Sequence, residues 1–336
     1  MEQKKRKTPI RVFEGFAGYG GASFGLKRSG IKYKVIGFSE VDQSANRILH
    51  ANFPKIQNYG DIITINEELS QNNKYIPDFD MFTGGFPCQP FSSAGKQQGE
   101  HDELGRGRML GEILKLCKLK QPKYILLENV RGFKSEKFKY LWDNFEKGMG
   151  KSYDFAMEVL NTKDFGIPQN RDRLWIFGIR GKLPSTFSML PPMIDGTERP
   201  RLKEFLDKNP SEHLYLSEQQ VSHFIEVHNK HREQDFNVNE PLCFDVYNHR
   251  VKKDGLCNTL TEPGHNITRI IEPKTIDGKI KIRKLSINEQ FRLMGFSDGE
   301  IKFPSDLDYS HISARAGNGW DVNLVGRLIK HIFEQL

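Results

Sequence analysis

A single cysteine, Cys88, stands between two prolines in the run Gly84-Gly85-Phe86-Pro87-Cys88-Gln89-Pro90-Phe91-Ser92. The run follows a short apolar segment, so we expect a strand that ends in two glycines and then a rigid turn that presents the thiol. Such a thiol can act as a nucleophile when a nearby cation or helix terminus raises its thiolate fraction. Most free cysteines are small buried apolar residues instead, and Cys88 taken alone favours that alternative.

Four further groups of polar or glycine residues lie next to predicted strands. They are the run Phe16-Ala17-Gly18-Tyr19-Gly20-Gly21, the acids Glu40 and Asp42, the pair Glu128-Asn129, and the run Gln169-Asn170-Arg171-Asp172-Arg173. In a parallel sheet, ligands bind beyond the carboxyl ends of the strands, and an antiparallel last strand starts at that same edge. The positions therefore predict one active site along one rim of a sheet.

Each of these groups also has a simpler explanation. A glycine-rich turn serves any nucleotide or none, Glu40 fits a surface acid, and Asp42 fits a helix cap. Arg171 and Arg173 fit solvent-facing ion pairs. Glu128 is harder to dismiss, because it follows four apolar residues and a buried carboxyl needs a partner or a raised pKa.

Short apolar runs alternate with amphipathic segments over the first half of the chain. Strands are predicted at residues 11–17, 35–39, 80–83, 124–127, 155–160 and 174–179. A short turn at Gly166 and Pro168 separates the last two strands and favours an antiparallel pair that closes the sheet. The pattern predicts a doubly wound α/β domain whose mostly parallel sheet contains one antiparallel strand.

Residues 182–282 lack this rhythm; they are rich in proline and hold six of the ten histidines. A structureless connection of about 100 residues is implausible inside one domain. We therefore predict a domain at 1–181 with the active site, a small irregular domain at 182–282, and a segment at 283–336 that returns to the first domain. In the last part, Ser286-Ile287-Asn288-Glu289 is a capping box. A final helix at 321–333 is expected to pack on the sheet.

The formal net charge of the 336-residue chain is +7, and the excess lies in the half that holds Cys88. Residues 1–181 contain 29 Lys and Arg against 21 Asp and Glu, residues 182–282 contain 14 against 15, and residues 283–336 contain 7 against 7. A positive surplus beside a reactive site suits a polyanionic partner. The run Lys4-Lys5-Arg6-Lys7 accounts for half of this surplus and also fits a solvated tail.

Cysteine and histidine spacing argues against disulfide and metal sites. The four cysteines show no close pairing, so neither a disulfide framework nor a zinc knuckle is predicted. His223, His228 and His231 have no supporting cysteine or acid, so we predict solvated or structural histidines and no metal. No apolar run is long enough to span a bilayer, and the polar start is not a secretion signal. These features predict a cytoplasmic protein without a membrane partner.

Taken in chain order, the motifs resemble those of the cytosine-C5 DNA methyltransferases of prokaryotic or phage type. The series runs from the glycine-rich turn and Glu40 through Gly60-Asp61-Ile62, Pro87-Cys88, Glu128-Asn129-Val130 and the Gln-x-Arg-x-Arg run to Gly317-Asn318. The resemblance covers nearly all of the chain except residues 182–282. It implies an α/β fold with a Rossmann-like, S-adenosylmethionine-dependent methyltransferase domain, and a small irregular target-recognition domain at 182–282.

The resemblance implies S-adenosylmethionine as the cofactor and S-adenosylhomocysteine as its product. The matching cofactor-site residues are Phe16, Ala17, Gly18, Gly20, Gly21, Glu40, Val41, Asp61, Ile62, Pro87, Asn318 and Trp320. Phe16 is expected to face the sulfonium, Glu40 the ribose hydroxyls, and Asp61 with Ile62 the adenine. Val41 departs from the family pattern, which has an aromatic residue there to stack on adenine. A hypothesis is that Trp320 compensates for the aromatic residue that is missing at Val41.

The residues that match the family's catalytic groups are Cys88, Glu128, Arg171 and Arg173. The resemblance implies that Cys88 adds to C6 of cytosine, which makes C5 nucleophilic. Glu128 donates to N3 and accepts from the exocyclic amine, while Arg173, with Arg171 nearby, binds O2. A base inside a duplex cannot offer these atoms to a pocket, so the target must be flipped out.

DNA contacts are implied on both sides of the predicted domain boundary. They fall on Gln89, Ser92, Lys96 and Gln97 after the cysteine, and on Thr259 and Leu260, which resemble the family's short Thr-Leu element. The near-neutral charge of residues 182–282 suits readout of base edges better than binding of phosphates.

The prediction is a DNA (cytosine-5-)-methyltransferase that acts on duplex DNA as a monomer, with a cognate restriction endonuclease as a candidate partner. The same chemistry on tRNA is the first alternative. A non-catalytic DNA-binding relative is the second, and the intact Cys88, Glu128, Arg171 and Arg173 argue against it. An unrelated Rossmann dehydrogenase would share the glycines but not the Pro-Cys loop.

Overall fold

A six-stranded sheet forms the centre of the first half of the chain in the computed structural model, which describes residues 8–87, 108–262 and 268–336. The strand order is β2-β1-β3-β4-β7-β5. The strands are β1 (Ile10–Gly15), β2 (Tyr33–Ser39), β3 (Met81–Gly85), β4 (Tyr124–Val130), β5 (Tyr153–Asn161) and β7 (Asp172–Arg180). Strands β1 to β4 pair in parallel, and β7 runs antiparallel to β4. The predicted mostly parallel sheet with an antiparallel strand is confirmed.

Helices cover both faces of this sheet. They are α1 (Gly21–Ser29), α2 (Gln43–Asn52), α3 (Ile62–Gln71), α4 (Met109–Lys120), α5 (Lys139–Met149) and α9 (Val322–Glu334). Buried residues of α3, α4 and α5 share one apolar core with Phe82, Ile125 and Leu127 of the sheet. The ring of Phe333 in α9 lies 4.9 Å from that of Tyr124, next to Ile125 in β4. The predicted packing of the final helix on the sheet is therefore confirmed.

The chain folds as two compact units. Unit 1 contains the described residues within Met1–Leu160, Asp172–Pro192 and Leu324–Leu336, and unit 2 contains those within Asn161–Arg171 and Met193–Asn323. These limits differ from the predicted ones at 181 and 283. A short piece before β7 belongs to unit 2, and residues 283–323 do so as well. Within the C-terminal segment, residues 324–336 belong to unit 1.

Unit 2 is more regular than its weak periodicity predicts. Its strands are β6 (Gln169–Asn170), β8 (Leu242–Asp245), β9 (Arg250–Val251), β10 (Cys257–Asn258), β11 (Arg269–Glu272) and β12 (Lys281–Arg283). Its helices are α6 (Glu218–His231), α7 (Ile287–Arg292) and α8 (Tyr309–Asn318). The order β12-β11-β8-β9 makes an antiparallel sheet whose apolar side packs against α6. The reciprocal Ser217–Gln220 capping box opens α6 and was the available signal for this helix.

Side-chain caps fix several helix starts that the sequence predicts. Asp42 accepts a hydrogen bond from the Ala45 amide at the start of α2. Ser286 and Glu289 form the expected reciprocal box at the start of α7. Each cap satisfies amide groups that have no partner within the helix, so it sets where the helix begins.

The histidines of α6 take a structural place in the described part of unit 2. His228 is buried, and its Nδ1 lies 2.7 Å from Nδ1 of His249. The ring of His231 stacks on His249 at 4.0 Å. Within residues 8–87, 108–262 and 268–336, no cluster of three His, Cys, Asp or Glu side chains is arranged to hold a metal ion. Across the same ranges, every helix is too short or too polar to cross a bilayer.

Candidate active site

The parallel strands of unit 1 bring their carboxyl ends to one edge. Gly15 at the end of β1 pairs with Ser39 at the end of β2 and with Gly84 of β3. Gly85 in turn pairs with Glu128 of β4. The segments that follow these four strands therefore begin side by side, which places the glycine-rich turn, Glu40, Pro87 and Glu128 along one rim.

The glycine-rich turn between β1 and α1 has an unusual backbone. Phe16, Gly18 and Gly20 all have positive φ, at 52°, 57° and 90°. A Cβ on Gly20 would lie 2.6 Å from the ring of Phe53, so this position requires glycine. A Cβ on Gly18 would meet nothing within 4 Å. The turn thus exposes its backbone to open space at Gly18, and strain at the non-glycine Phe16 is typical of a ligand-binding turn.

Glu40 ties this turn to the end of β2. One carboxylate oxygen accepts from the amide of Gly18 at 2.7 Å, and the other accepts from the amides of Val41 and Asp42 at 2.9 and 2.8 Å. The side chain of Asn58 also holds the backbone of Glu40. Its Oδ1 accepts from the Glu40 N–H at 3.0 Å, and its Nδ2 donates to the Glu40 carbonyl at 2.9 Å. Sequence reasoning missed Asn58, because nothing in its local pattern marks it. Val41 is 64% exposed, an open apolar side chain beside the acid.

Asp61 and Ile62 occupy the start of α3. Asp61 caps the helix by accepting from the Ile63 amide at 2.9 Å. The side chain of Ile62 lies in the apolar core of unit 1. A ligand contact at Ile62 therefore involves its backbone rather than its side chain.

A second carboxylate, Glu14, lies buried beneath the turn and was missed from the sequence. It accepts from the amides of Ala22 and Ser23 at 2.8 and 3.0 Å, and from the Ser23 hydroxyl at 2.5 Å. Burial raises the pKa of Glu14 to about 7, the charge of Glu40 adds to the rise, and the three hydrogen bonds oppose it. Glu14 thereby anchors the first turn of α1 to the strand that carries the glycine-rich turn.

These contacts fit a cofactor with a nucleoside part. A carboxylate at the end of the second strand suits ribose hydroxyls, and the open space over Gly18 admits a group that a side chain there would displace. The exposed apolar side chain of Val41 suits a face of the base. Phe16, Ala17, Gly18, Gly20, Gly21, Glu40, Val41, Asp61 and Pro87 all belong to unit 1.

Glu128 and Arg173 form an ion pair at the same rim. Nε of Arg173 lies 2.8 Å from Oε1 of Glu128, and the two side chains are 14% and 10% exposed. They lie on neighbouring antiparallel strands, where Val130 pairs with Arg173 and Glu128 with Trp175. The buried carboxyl predicted to need a partner has one, and the pair keeps some access to solvent.

Asn129 holds the backbone that leads to the Pro-Cys run. Its side chain is fully buried, and it donates to the carbonyl of Phe86 at 3.2 Å. The ring of Phe86 packs edge-on against Phe133, with centroids 5.4 Å apart. Cys88 itself lies outside the described residues, as do Gln89, Ser92, Lys96 and Gln97. The chain is therefore held beside β4 as far as Phe86, two residues before Cys88.

The remaining predicted site residues belong to unit 2. The guanidinium of Arg171 is buried against backbone carbonyls, and the side chain of Leu260 is buried as well. Asn318, at the end of α8, donates its amide to the carboxylate of Glu262. Trp320 is buried. Thr259 donates its hydroxyl to the carbonyl of Asn170 at 2.7 Å.

A mostly parallel sheet with an antiparallel strand and a glycine-rich turn after β1 is the Rossmann-like methyltransferase fold. Solved structures share it along almost the whole chain. Dnmt2 methyltransferase of S. pombe has a TM-score of 0.70 at 19% identity, covering 97% of this chain and 99% of that one. The methyltransferase EhMeth of Entamoeba histolytica has a TM-score of 0.68 at 20% identity, covering 98% and 99%.

Sequence comparison identifies the family. Residues 10–334 match the family model described as C-5 cytosine-specific DNA methylase. The type II methyltransferase M.HpaII of Haemophilus parainfluenzae is 30% identical over 342 residues, covering 96% of this chain and 88% of that protein. M.Bsp6I of Bacillus sp. (strain RFL6) is also 30% identical over 342 residues, covering 97% and 99%. The chain therefore belongs to the C-5 cytosine-specific DNA methylase family and is a DNA (cytosine-5-)-methyltransferase.

Another relative is the orphan methyltransferase M.Rho11sI of Bacillus phage rho11s. It is 31% identical over 260 residues, which cover 68% of this chain. The match spans half of that relative's own length.

Proposed function

We propose that the enzyme transfers a methyl group from S-adenosylmethionine to C5 of a flipped-out cytosine within a specific duplex DNA sequence, through covalent addition of Cys88 to C6. The observation that carries the proposal is the Glu128–Arg173 pair at the end of β4. It stands in register with the end of β3, the strand that leads into Pro87-Cys88.

The cofactor side of the proposal rests on the rim of unit 1. Glu40 binds the ribose hydroxyls, Asp61 and the Ile62 backbone bind the adenine, and Phe16 with Gly18 lines the remainder. When bound, S-adenosylmethionine supplies an electrophilic methyl group. The protein contributes a strained, preformed turn and a carboxylate already oriented by Gly18, Val41 and Asp42, which reduces the ordering required on binding.

The base side of the proposal assigns one task to each polar group. The Cys88 thiolate forms a bond to C6, and N3 receives a proton from Glu128, so C5 becomes an enamine-like nucleophile that accepts the methyl group. Arg173 binds O2 and orients Glu128. Loss of the C5 proton to a base then restores the double bond and expels the thiolate, and N3 returns its proton to Glu128, which leaves neutral 5-methylcytosine.

Substrate access requires extrusion of the cytosine from the duplex, at a cost of a few kcal/mol that DNA contacts must offset. The charge surplus of residues 1–181 suits binding of the flanking phosphates. Phosphate binding needs positive charge, whereas readout of base edges does not. The near-neutral residues 182–282 therefore suit recognition of the DNA sequence. A cytoplasmic location, a monomeric state and a cognate restriction endonuclease stay predictions that fit this function.

The substrate is tested by offering duplex DNA and tRNA side by side with a labelled methyl donor. We expect incorporation into DNA, located at C5 of cytosine by bisulfite sequencing, because the chain belongs to the C-5 cytosine-specific DNA methylase family. DNA binding should also weaken steeply with salt, with log K falling by roughly 0.9 per phosphate neutralised. Equal or better methylation of tRNA would contradict the proposed substrate. It would not contradict the covalent addition of Cys88 to C6, which is tested separately by trapping.

A further inference from the structure

The segment Thr259–Glu262, which we call the recognition segment, is attached residue by residue to the strand β6. Strand β10 just before it pairs in parallel with β6, Cys257 with Gln169 and Asn258 with Asn170. The hydroxyl of Thr259 continues this pairing by donating to the Asn170 carbonyl at 2.7 Å. The position of the recognition segment in unit 2 therefore depends on the chain that precedes Arg171.

Gln169 fixes the amide of Leu260. Its side chain is fully buried, and its Oε1 accepts from the Leu260 N–H at 2.9 Å. Its Nε2 donates to the carbonyl of Leu293 at 2.7 Å. Both ends of the amide are in use, so the side chain is held in one orientation and holds Leu260 in turn.

Arg171 fixes the other side of the same residue. Its guanidinium, in a residue that is 2% exposed, donates to the carbonyl of Leu260 at 3.1 Å and to those of Gly317 and Gly319 at 3.0 and 2.8 Å. The last two carbonyls lie at the C-terminus of α8, where backbone acceptors lack helical donors and a cation is favourable. A Cβ on Gly317 would lie 2.5 Å from the backbone of Thr261, so helix end and segment are in direct contact.

We propose that Gln169 and Arg171 are positioning residues that set the DNA sequence preference of the enzyme by holding the recognition segment against the end of α8. Leu260 is fixed at its N–H by one side chain and at its C=O by the other, so Thr259 and Thr261 on either side are fixed as well. Arg171 acts through this backbone and not through O2 of the cytosine. The proposal rests on the proposed function, because it assigns base readout to this segment.

The first test is Arg171→Lys, since a lysine carries its donors on one nitrogen and lacks the planar spread of the guanidinium that reaches the carbonyls of Leu260, Gly317 and Gly319. The recognition sequence of the wild-type enzyme is first determined by bisulfite sequencing of the DNA that it methylates. We expect discrimination between that sequence and singly substituted sites to fall by roughly tenfold, equivalent to about 1.4 kcal/mol, with a rise in KM for DNA. The loss of discrimination and the rise in KM for DNA should exceed any change in kcat at saturating DNA or in the KM for S-adenosylmethionine. A large fall in kcat with unchanged discrimination would overturn the proposal and return Arg171 to substrate binding.

A second variant and a second readout guard against simple misfolding. Gln169→Met keeps the length of the side chain but removes the acceptor for the Leu260 amide, and it should shift discrimination in the same direction. Hydrogen exchange of the Leu260 amide should accelerate in both variants by about tenfold or more, while that of Ile271 in β11 stays constant. Altered discrimination with unchanged Leu260 exchange would contradict the proposal. Hydrogen exchange is measured without any methylation reaction. Failure of the proposed function would therefore be recognised separately, because the wild-type enzyme would leave DNA unmethylated.

Discussion

The rim of unit 1 and the recognition segment of unit 2 use polar side chains in opposite ways. At the rim, Glu128 and Arg173 bind each other and keep 10% and 14% of their side chains exposed. In unit 2, Arg171 is bound to three backbone carbonyls and is almost completely buried. A side chain that acts on a ligand must keep some of its polar atoms accessible. A side chain that positions the backbone instead uses its hydrogen-bonding atoms on backbone groups. The two arginines of one sequence motif therefore differ in their contacts, which supports the different roles proposed for them.

Apart from loss of the nucleophile Cys88 itself, the largest effect is expected at the rim, from Glu128→Gln. The amide keeps the shape of the side chain but cannot supply a proton to N3, so kcat should fall by at least ~10²-fold, the usual scale for a lost general acid. The measurement is methyl transfer at saturating DNA and cofactor, with cofactor affinity by calorimetry as the control for folding. Together with Arg171→Lys, it separates a change in turnover from a change in discrimination. If Glu128→Gln turned over at the wild-type rate, Glu128 would be a structural residue, and the difference proposed between the rim of unit 1 and the recognition segment would be wrong.

A smaller effect is expected from Gly18→Ala, for which the chain offers a matched control. Gly18 and Gly30 both have positive φ, at 57° and 73°, and a Cβ on either would meet nothing within 4 Å. Alanine should cost about 1–2 kcal/mol of stability at each position. Only Gly18→Ala should also weaken S-adenosylmethionine binding, by roughly tenfold or about 1.4 kcal/mol, because its methyl group enters the space over the turn. Equal cofactor affinity in the two variants would contradict the cofactor site.

The smallest effect on turnover is expected from Glu14→Gln, because Glu14 is saturated by donors as Arg171 is by carbonyls. Its pKa of about 7 in the folded state exceeds the ordinary 4.5, so the folded state binds the proton more tightly. The stabilisation from this proton is complete below about pH 4.5 and is lost as the pH rises through 7, by about 3 kcal/mol in all. Wild type should therefore lose stability relative to Glu14→Gln over this range in urea unfolding.

Glu68→Gln, which removes a carboxylate from the exposed side of α3, is the control for the lost negative charge. A constant difference in unfolding free energy between wild type and Glu14→Gln from pH 4.5 to 8 would show that Glu14 does not titrate there. A loss of turnover comparable to that of Glu128→Gln would place Glu14 among the reacting groups instead.

The sequence was most informative where the determining interactions are local. Strand ends and the caps at Asp42 and Ser286 follow from patterns a few residues long. The apolar run before Glu128 predicted that its carboxyl needs a partner or a raised pKa, but it did not identify Arg173 as that partner. The roles of Glu14, Asn58 and Asn129 did not follow, because each depends on where a distant backbone atom lies. Arg171 is the clearest case, since its acceptors are 89 to 148 residues further along the chain. The limits of unit 2, which include residues 161–171, likewise depend on contacts between residues far apart in the chain.

The most direct test of the covalent mechanism is a trapping experiment with duplex DNA that carries 5-fluorocytosine at the target position. Fluorine cannot leave C5 as a proton does, so after methyl transfer Cys88 should stay bonded to C6. We predict a complex that resists denaturation, requires S-adenosylmethionine and is absent with Cys88→Ser, which should also have lost methylation while still binding the cofactor. An active enzyme that gives no such complex, or a complex that persists in Cys88→Ser, would contradict the account.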